Sequence, residues 1–184
     1  KEKIEETIVA AHDPNGDGLW DVEYRIIKCD GEIRWLAAKS QTFFEEQNSN
    51  RYPARTVGVT LDITESKLIE SNLRNLSRAV EQNPATIVIT DIKGNIEYVN
   101  PKFTEVTGYS FKEVKGENPR ILKSGMMSAQ DYKQMWDDLV IGKEWHGDFH
   151  NKKKNGEYFW ESASISPIFN NKGEITNFLA IKQD

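Results

Sequence analysis

Apolar and polar residues alternate over several short segments, in the pattern that is typical of half-buried β-strands. Two such strands are predicted at residues 86–90 and 96–99, on either side of a turn that contains Lys93-Gly94. In residues 128–140 the pattern changes to helical spacing, with apolar Tyr132, Met135, Trp136 and Leu139. Ser128 is a suitable N-cap for this helix. Shorter helices are predicted at 101–107 and near Ile121, so this part of the chain combines strands with helices.

A second pattern occurs twice at a constant offset: a Trp, then K-x-[D/N]-G-E-x-x-W. The matched pairs are Trp20/Trp145, Lys28/Lys153, Gly31/Gly156, Glu32/Glu157 and Trp35/Trp160. Each copy predicts strand, tight turn and strand, and each is followed by another apolar strand, at 56–62 and 177–184. The second copy follows two strands and helices, whereas the first follows only one helix, at 1–11. The chain is therefore predicted to hold one nearly complete α+β domain and the last part of a similar one.

The segment between the copies, residues 63–82, predicts a linker helix. Its apolar residues Leu68, Leu73, Leu76 and Val80 lie near one helical face. Thr64 is a candidate N-cap, and Asn83-Pro84 ends the helix. Two interpretations remain open: this face packs on its own domain, or it pairs with its twin as a short coiled coil in a homodimer.

Composition excludes several functions. The net charge of −5 disfavours nucleic acid as a partner, and the single cysteine, Cys29, excludes an intramolecular disulfide. No apolar run approaches the roughly 20 residues of a membrane span. We therefore expect a cytoplasmic location and no direct membrane contact by this chain, although a longer parent protein could be membrane-tethered.

A group of motifs resembles the PAS domain family. They are Asn83-Pro84, Thr90-Asp91, Gly94-Asn95-Ile96, Tyr98-Val99-Asn100, Phe103, Thr107-Gly108-Tyr109, Gly116, Trp145, Gly156-Glu157, Ser166-Pro167 and the linking Leu61-Asp62-Ile63-Thr64. The resemblance implies an α+β PAS fold, with a five-stranded antiparallel sheet and helices on one face. It implies three parts: the C-terminal half of a first PAS domain (1–64, the PAC part), a linker helix (65–82) and a second PAS domain (83–184).

Residues 116–122 and 151–167 look most like the FAD-binding PAS domains of nitrogen-fixation and methane-oxidation redox regulators. They are also similar to LOV photoreceptors, but the reactive cysteine of those proteins is replaced here by Pro119. The resemblance implies a non-covalent FAD site lined by Asn118, Arg120, Trp145, Asn151 and Glu161. Haem is not expected, because haem-binding relatives use a histidine on the long helix and residues 128–140 contain none.

Strand geometry supplies two tests of this site. Alternation places Glu161 on one face with Phe159, Ala163 and Ile165, so Glu161 is either buried and paired or reaches water at the sheet edge. A four-residue loop at 170–173 would set Phe169 opposite Glu174 and Glu161 opposite Lys182, and this pair could satisfy the pocket without a cofactor. A three-residue loop ending at Gly156 would place Asn151 on the face of Glu161, and a two-residue turn would separate them. We predict the three-residue loop.

Two further motifs involve residue types that could support other chemistry. Residues 13–18 match the start of an EF-hand calcium loop, but the glutamate required at position 12 is replaced by Tyr24. A helix-to-strand loop and no metal are therefore predicted. His146 and His150 share a strand face opposite that of Trp145 and Phe149, away from the pocket. The sequence contains no convincing catalytic motif, so we expect a sensor and not an enzyme.

The predicted function is signal transduction. The second domain would sense redox state or a small ligand, through FAD, and flanking helices would relay the signal to the output domain of a larger regulator, such as a two-component histidine kinase or a diguanylate cyclase. The chain would form a homodimer through the linker helix and the sheet faces. The alternative is a cofactor-free domain for dimerisation and signal relay. In that case its own side chains would fill the pocket, and Trp35 and Trp160, on the outer sheet faces, would be buried against helices or a partner. In either case the edge of strand 56–62 would be covered by the linker helix, another chain or residues outside this sequence.

Overall fold

The structure is a computed structural model that describes residues 2–183. Its helices are α1 (Glu2–Ala11), α2 (Thr64–Glu81), α3 (Pro101–Thr107), α4 (Phe111–Val114) and α5 (Ala129–Val140), with a 3-10 helix at Pro119–Leu122. Its strands are β1 (Leu19–Ile27), β2 (Ile33–Gln47), β3 (Asn50–Asp62), β4 (Thr86–Asp91), β5 (Ile96–Val99), β6 (Trp145–Lys152), β7 (Tyr158–Phe169) and β8 (Ile175–Gln183). Lys1 and Asp184, which the sequence assigned to a helix and a strand, lie outside the described residues.

The chain divides into two compact units, Lys1–Arg74 and Asn75–Asp184, and the boundary falls inside α2. The finer division into parts ending at residues 64 and 82 stays a prediction. Within residues 2–183, none of the helices combines the length and the apolar composition that a membrane crossing requires.

The second unit is built on a five-stranded antiparallel sheet in the order β5-β4-β8-β7-β6. The last strand, β8, therefore lies in the centre, between β4 and β7. The core forms on one sheet face, where Val88, Ile165 and Phe178 pack with Phe103 of α3 and Leu139 of α5. This arrangement confirms the predicted α+β class, with its five-stranded antiparallel sheet and its helices on one face.

The N-terminus of α5 is stabilised by residues that are close together in the sequence. Ser128 caps α5: its Oγ accepts a hydrogen bond from the backbone N–H of Asp131 (3.2 Å), and the Asp131 carboxylate accepts one from the N–H of Ser128 (3.2 Å). This reciprocal pair satisfies two N–H groups that the helix itself cannot satisfy. The predicted N-cap of the long helix is confirmed.

Four hairpins share one turn, in which a three-residue loop ends in a glycine with positive φ, whereas β2 and β3 are joined through Asn48 and Ser49, at φ 53° and 65°. The closing pairs are Lys28–Glu32, Asp91–Asn95, Lys153–Glu157 and Asn170–Glu174, with Gly31, Gly94, Gly156 and Gly173 at φ 87°, 82°, 93° and 79°. Glycine adopts this left-handed conformation without the steric cost that other residues carry. The three-residue loop predicted before Glu157 is confirmed, and both copies of the sequence repeat use it.

The predicted register of the last hairpin was wrong in detail. A three-residue loop closes Asn170 against Glu174 and sets Phe169 opposite Ile175, and an irregularity at Ile168/Phe169 then sets Ile168 opposite Asn177. Lys182 consequently pairs with Ala163 and not with Glu161. The loop is one residue shorter than expected, and this moves the register by one residue. The bulge moves it by one more in the same direction, so the total shift is two residues. Because side chains alternate with period two, Lys182 still points to the face that carries Glu161.

The first unit is a three-stranded antiparallel sheet in the order β1-β2-β3, on which α1 packs. The indole N–H of Trp20 in β1 donates to Thr7 Oγ1 of α1 (3.0 Å). Every residue of β3 is exposed, so α2 does not cover this strand and that part of the prediction was wrong. The loop at residues 13–18 joins helix to strand as predicted, and the guanidinium of Arg51 donates to the carbonyl of Pro14 there.

Candidate functional site

A cavity of about 330 Å³ lies in the second unit, between the core face of the sheet and α5. Its lining residues are Val88, Thr90, Gly94, Asn118, Pro119, Arg120, Lys123, Ala129, Tyr132, Lys133, Met135, Trp136, Leu139, Phe149, Asn151, Ile165, Phe178, Ala180 and Lys182. The walls are therefore mostly aliphatic and aromatic. The volume is at the lower end of the range of about 300–1,000 Å³ that is usual for ligand pockets.

One end of this cavity is polar and deeply buried. Glu161 Oε1 accepts hydrogen bonds from Asn151 Nδ2 (2.6 Å) and from Lys182 Nζ (2.5 Å). The three residues are 3%, 4% and 7% exposed, respectively. At such burial a carboxylate or ammonium group persists only with a charged and hydrogen-bonded partner. We refer to Asn151, Glu161 and Lys182 as the buried triad.

The triad has two sides. Asn151 and Lys182 line the cavity, whereas Glu161 lies behind them. Glu161 instead lines a separate cleft of about 40 Å³, together with Lys182, Thr86 and Lys102. A molecule in the cavity would therefore meet the amide of Asn151 and the ammonium of Lys182, and not the carboxylate.

Part of the lining is cationic. Arg120, Lys123 and Lys133 all line the cavity, and among its lining residues within the described part of the chain there is no Asp or Glu. Lys123 Nζ lies 3.5 Å from the ring centroid of Tyr132, in a cation–π contact. Charges of one sign on apolar walls favour a ligand that carries an anionic group.

Asn118 shapes the cavity through bonds to the protein. Its Nδ2 donates to the carbonyl of Gly94 (2.9 Å), and its Oδ1 accepts from the backbone N–H and from Nε of Arg120 (both 3.1 Å). The side chain thereby caps the 3-10 helix and ties it to the β4–β5 turn. Gly94 leaves little space, since a Cβ there would lie 2.8 Å from Asn118 Nδ2 and 3.0 Å from Trp136.

The structure brings together part of the predicted site. Asn118, Arg120 and Asn151 line the cavity, while Glu161 lies behind Asn151 and Lys182. Trp145 is not a lining residue: its ring packs against Phe149, with centroids 5.1 Å apart, and covers Gly147. Trp145 begins β6, and four residues of extended strand carry it past Phe149, which does line the cavity.

Sequence reasoning missed other lining residues. Helical spacing predicts only core positions for Tyr132 and Trp136, and no sequence pattern points to Lys123. Lys123 reaches the site because its backbone forms an isolated bridge with Asn151, a contact between distant segments that no local pattern signals. The buried pair Glu161–Lys182 is present as predicted, but it does not fill the pocket, because the cavity remains beside it.

Comparisons with known proteins agree on one family. A family model described as "PAS domain" matches residues 84–184. The Nitrogen fixation regulatory protein of Klebsiella oxytoca is 35% identical over 105 residues, which are 57% of this chain and 21% of that protein. The Aerotaxis receptor of Escherichia coli strain K12 is 29% identical over 93 residues, 50% of this chain and 18% of the receptor. The chain thus spans only about a fifth of the length of these relatives.

A solved structure gives the same result for the fold. The PAS domain of an HTR-like protein from Haloarcula marismortui superposes with a TM-score of 0.56 at 23% identity, covering 65% of this chain and 97% of that one. At this identity the likeness concerns the fold alone, so ligand and output have to be argued from the residues of the site.

Proposed function

Because this chain belongs to the PAS domain family, we propose that its second unit is the sensory module of a larger signalling regulator and that it binds a small ligand in the cavity. The observation that supports this is the cavity itself, which has apolar walls, one buried polar end and a cationic region in the matched domain. The module itself is non-catalytic. Ligand binding between the sheet and α5 would alter the packing of both, and α2 would carry the change to an output domain such as a histidine kinase or a diguanylate cyclase.

FAD is the ligand we propose. The lining residues fit FAD in three respects. The apolar and aromatic walls can pack against a flat ring, and Asn151 and Lys182 can form hydrogen bonds with its polar edge. The cationic side chains of Arg120, Lys123 and Lys133 can bind the phosphates. A cavity of about 330 Å³ would hold the ring system, with the rest of the dinucleotide outside. A bound flavin would supply reversible redox chemistry, so the regulator would respond to redox state. Pro119 stands where light-sensing relatives carry cysteine, so binding would be non-covalent.

The regulator would act as a homodimer. On α2, Ile69, Leu73 and Leu76 are 53%, 63% and 64% exposed and, with Val80, follow the alternating spacing of four and three residues of a coiled-coil seam. On the outer face of the second sheet Trp160 is 61% exposed, and its ring is tilted by 57° against that of His150. Exposed apolar stripes of this kind are typical of protein–protein interfaces.

A cofactor-free relay module is the second candidate. One observation favours it: Glu161 and Lys182 satisfy each other's charge without any ligand. In that case the cavity would have no resident molecule and the dimer interface would carry the function.

The first test is a visible absorbance spectrum of the freshly purified chain, followed by acid release, chromatography and titration with FAD. FAD in the purified protein, or uptake of added FAD, would support the proposal. Ala180→Leu should weaken uptake because Ala180 lines the cavity, whereas Ile181→Leu, on the opposite face of the same strand, should not. A colourless chain that takes up no FAD would overturn the flavin proposal and favour the relay module.

A further inference from the structure

Asparagine followed by glycine occurs twice in the chain, at Asn15-Gly16 and Asn155-Gly156, and both asparagines are exposed. In such a pair the glycine nitrogen can attack the side-chain amide of the asparagine, because glycine has no Cβ that would shield it. In both loops the glycine N–H donates to a backbone carbonyl three residues earlier, over 2.9 Å. This contact does not distinguish the two pairs, so a difference in reactivity has to come from their other contacts.

The turn between β6 and β7 holds Asn155 in a reactive arrangement. The backbone N–H of Glu157 donates to Asn155 Oδ1 (3.0 Å), and because this bond spans Gly156 it folds the amide back over the attacking nitrogen. The same N–H points at the oxygen that becomes negatively charged when the nitrogen adds, as the donors of an oxyanion hole do. A Cβ at Gly156 would meet no atom within 4 Å, so the loop has room for a ring to close.

The loop of Asn15 lacks this arrangement. Within residues 2–183 no hydrogen-bond donor contacts Asn15 Oδ1, and its Nδ2 is bound to Asp13 Oδ1 (3.3 Å). Space is short at Gly16, where a Cβ would lie 3.2 Å from the carbonyl oxygen of Asp13. The guanidinium of Arg51 also donates to the carbonyls of Pro14 and Gly16, on either side of Asn15. The loop is therefore held in place, and Asn15 is protected.

Asn170 has the donors but not the glycine. Its Oδ1 accepts hydrogen bonds from the backbone N–H groups of Lys172 (2.8 Å) and Glu174 (3.1 Å). The residue that follows is Asn171, whose side chain shields the attacking nitrogen. Of these three asparagines in the described part of the chain, Asn155 alone combines a donor to Oδ1 with an unshielded nitrogen.

We infer that Asn155 is a site of spontaneous self-modification, at which the chain converts this asparagine to aspartate and isoaspartate. The Gly156 nitrogen gives up its proton and bonds to Asn155 Cγ, the Cγ–Nδ2 bond breaks, and ammonia leaves with that proton. One water molecule then opens the five-membered imide ring at either carbonyl. The net reaction consumes water and releases ammonia, so it requires neither an oxidant nor a cofactor, and it is independent of the flavin proposal.

Isoaspartate would change the hairpin that carries Asn151 and Glu161 of the buried triad. In this product the main chain runs through the former side chain, which adds one backbone carbon to the three-residue loop. The loop is closed by the N–H of Lys153, which donates to the carbonyl of Glu157 (2.8 Å). A longer loop strains this contact, so the isoaspartate form should be less stable, whereas Asn155→Asp adds only the charge.

The experiment incubates the full chain in native buffer at mildly alkaline pH and locates aspartate and isoaspartate by fragment-ion mass spectrometry of its peptides. Asn155 should react at least about tenfold faster than Asn15 and Asn170. This factor is smaller than the roughly hundredfold effect of one oxyanion donor in an enzyme, because the loop is solvated. In guanidinium chloride the ratio of Asn155 to Asn15 should fall to about one, since both precede glycine. Arg51→Ala is the matched variant: it frees the loop of Asn15 and should speed the reaction there, while the rate at Asn155 stays unchanged.

The comparison within the unmodified chain decides the matter. Equal rates at Asn155 and Asn15 in the folded chain, or no isoaspartate at residue 155, would overturn the inference. A ratio that persists in guanidinium chloride would also overturn it, because the difference would then come from neighbouring sequence and not from the fold. The isoaspartate fraction, separated by ion exchange, should unfold at a lower urea concentration than Asn155→Asp, and equal midpoints would overturn the expected strain in the turn.

Discussion

Lys182 Nζ lies 2.5 Å from Glu161 Oε1, although the backbone register pairs Lys182 with Ala163. The contact is diagonal across β7 and β8, within reach of a long side chain that points to the same face. The flexible stem of Lys182 lies along the core while its ammonium meets the carboxylate. Among the ion pairs of the described residues, this is the one in which both side chains are buried, and it adjoins the cavity.

Removing one partner of this pair should be far more harmful than removing both. Glu161→Leu leaves the Lys182 ammonium buried and unpaired, and we expect the free energy of unfolding to fall by about 3–5 kcal/mol. Glu161→Leu combined with Lys182→Met should recover most of this loss, because replacement of a buried pair by apolar residues is often neutral. Urea unfolding of the wild type, both single variants and the double variant measures the coupling. If the losses of the two single variants add up to the loss of the double variant, the two side chains do not interact.

Substitution of Gly94 should lower stability for two reasons, and a control variant can separate them. Gly94→Ala places a Cβ at φ 82° and 2.8 Å from Asn118 Nδ2, so both backbone strain and a clash are expected. Gly173→Ala is the control, since its φ of 79° is similar but a Cβ there meets no atom within 4 Å. The strain alone should cost about 1–2 kcal/mol in either variant. Gly94→Ala should lose more in urea unfolding and should also bind FAD more weakly, and equal effects would contradict this account.

Glu113 should make stability depend on pH under acid conditions. The ammonium of Lys154, followed by the backbone N–H and the hydroxyl of Ser110, holds the pKa of Glu113 at about 2, below its ordinary value of 4.5. A lowered pKa means that the folded state binds this proton less readily than the unfolded state. The contribution of Glu113 to the free energy of unfolding is therefore complete above pH 4.5, and it is lost as the pH falls towards 2.

NMR titration of the Glu113 carboxyl carbon tests this prediction directly. Its midpoint should lie near pH 2 in the wild type and move upwards in Lys154→Ala, because the ammonium that lowers this pKa most is then absent. Glu113→Gln should flatten the decline of the urea midpoint between pH 4.5 and 2. A wild-type midpoint close to 4.5 would show that the contact with Lys154 does not persist in solution.

The seam on α2 should determine oligomeric state. Leu73→Glu places a charge in the centre of the apolar stripe and should convert a dimer to a monomer in sedimentation equilibrium, since an unpaired charge is costly at a buried coiled-coil position. Ser71→Glu lies on the opposite side of the helix and should leave the dimer intact. A dimer that survives Leu73→Glu would move the interface to another surface, and a wild type that is monomeric at all concentrations would reject the homodimer.

Much of the local structure could be predicted from residues close together in the chain. The capping of α5 by Ser128 depends on Asp131, three residues away, and the turn before Glu157 depends on the freedom of Gly156 to adopt positive φ. The repeat and its motifs were sufficient for the domain family, because each motif marks a turn or cap with a physical role. Alternation in β7 likewise placed Glu161 on the buried face.

Other features depended on contacts between distant segments. The bulge at Ile168/Phe169 changed the partner of Lys182, and Trp145 packs against Phe149 without lining the cavity. The sequence by itself determined the type of most elements, the family and the face on which Glu161 lies, because these follow from periodicity, local backbone preference and motifs, whereas the short helix α4 was not predicted. Only the tertiary structure decided that Glu161 stands behind Asn151 and Lys182 and that a cavity remains beside them, because the register of strands and the space left between packed elements arise from all the long-range contacts together.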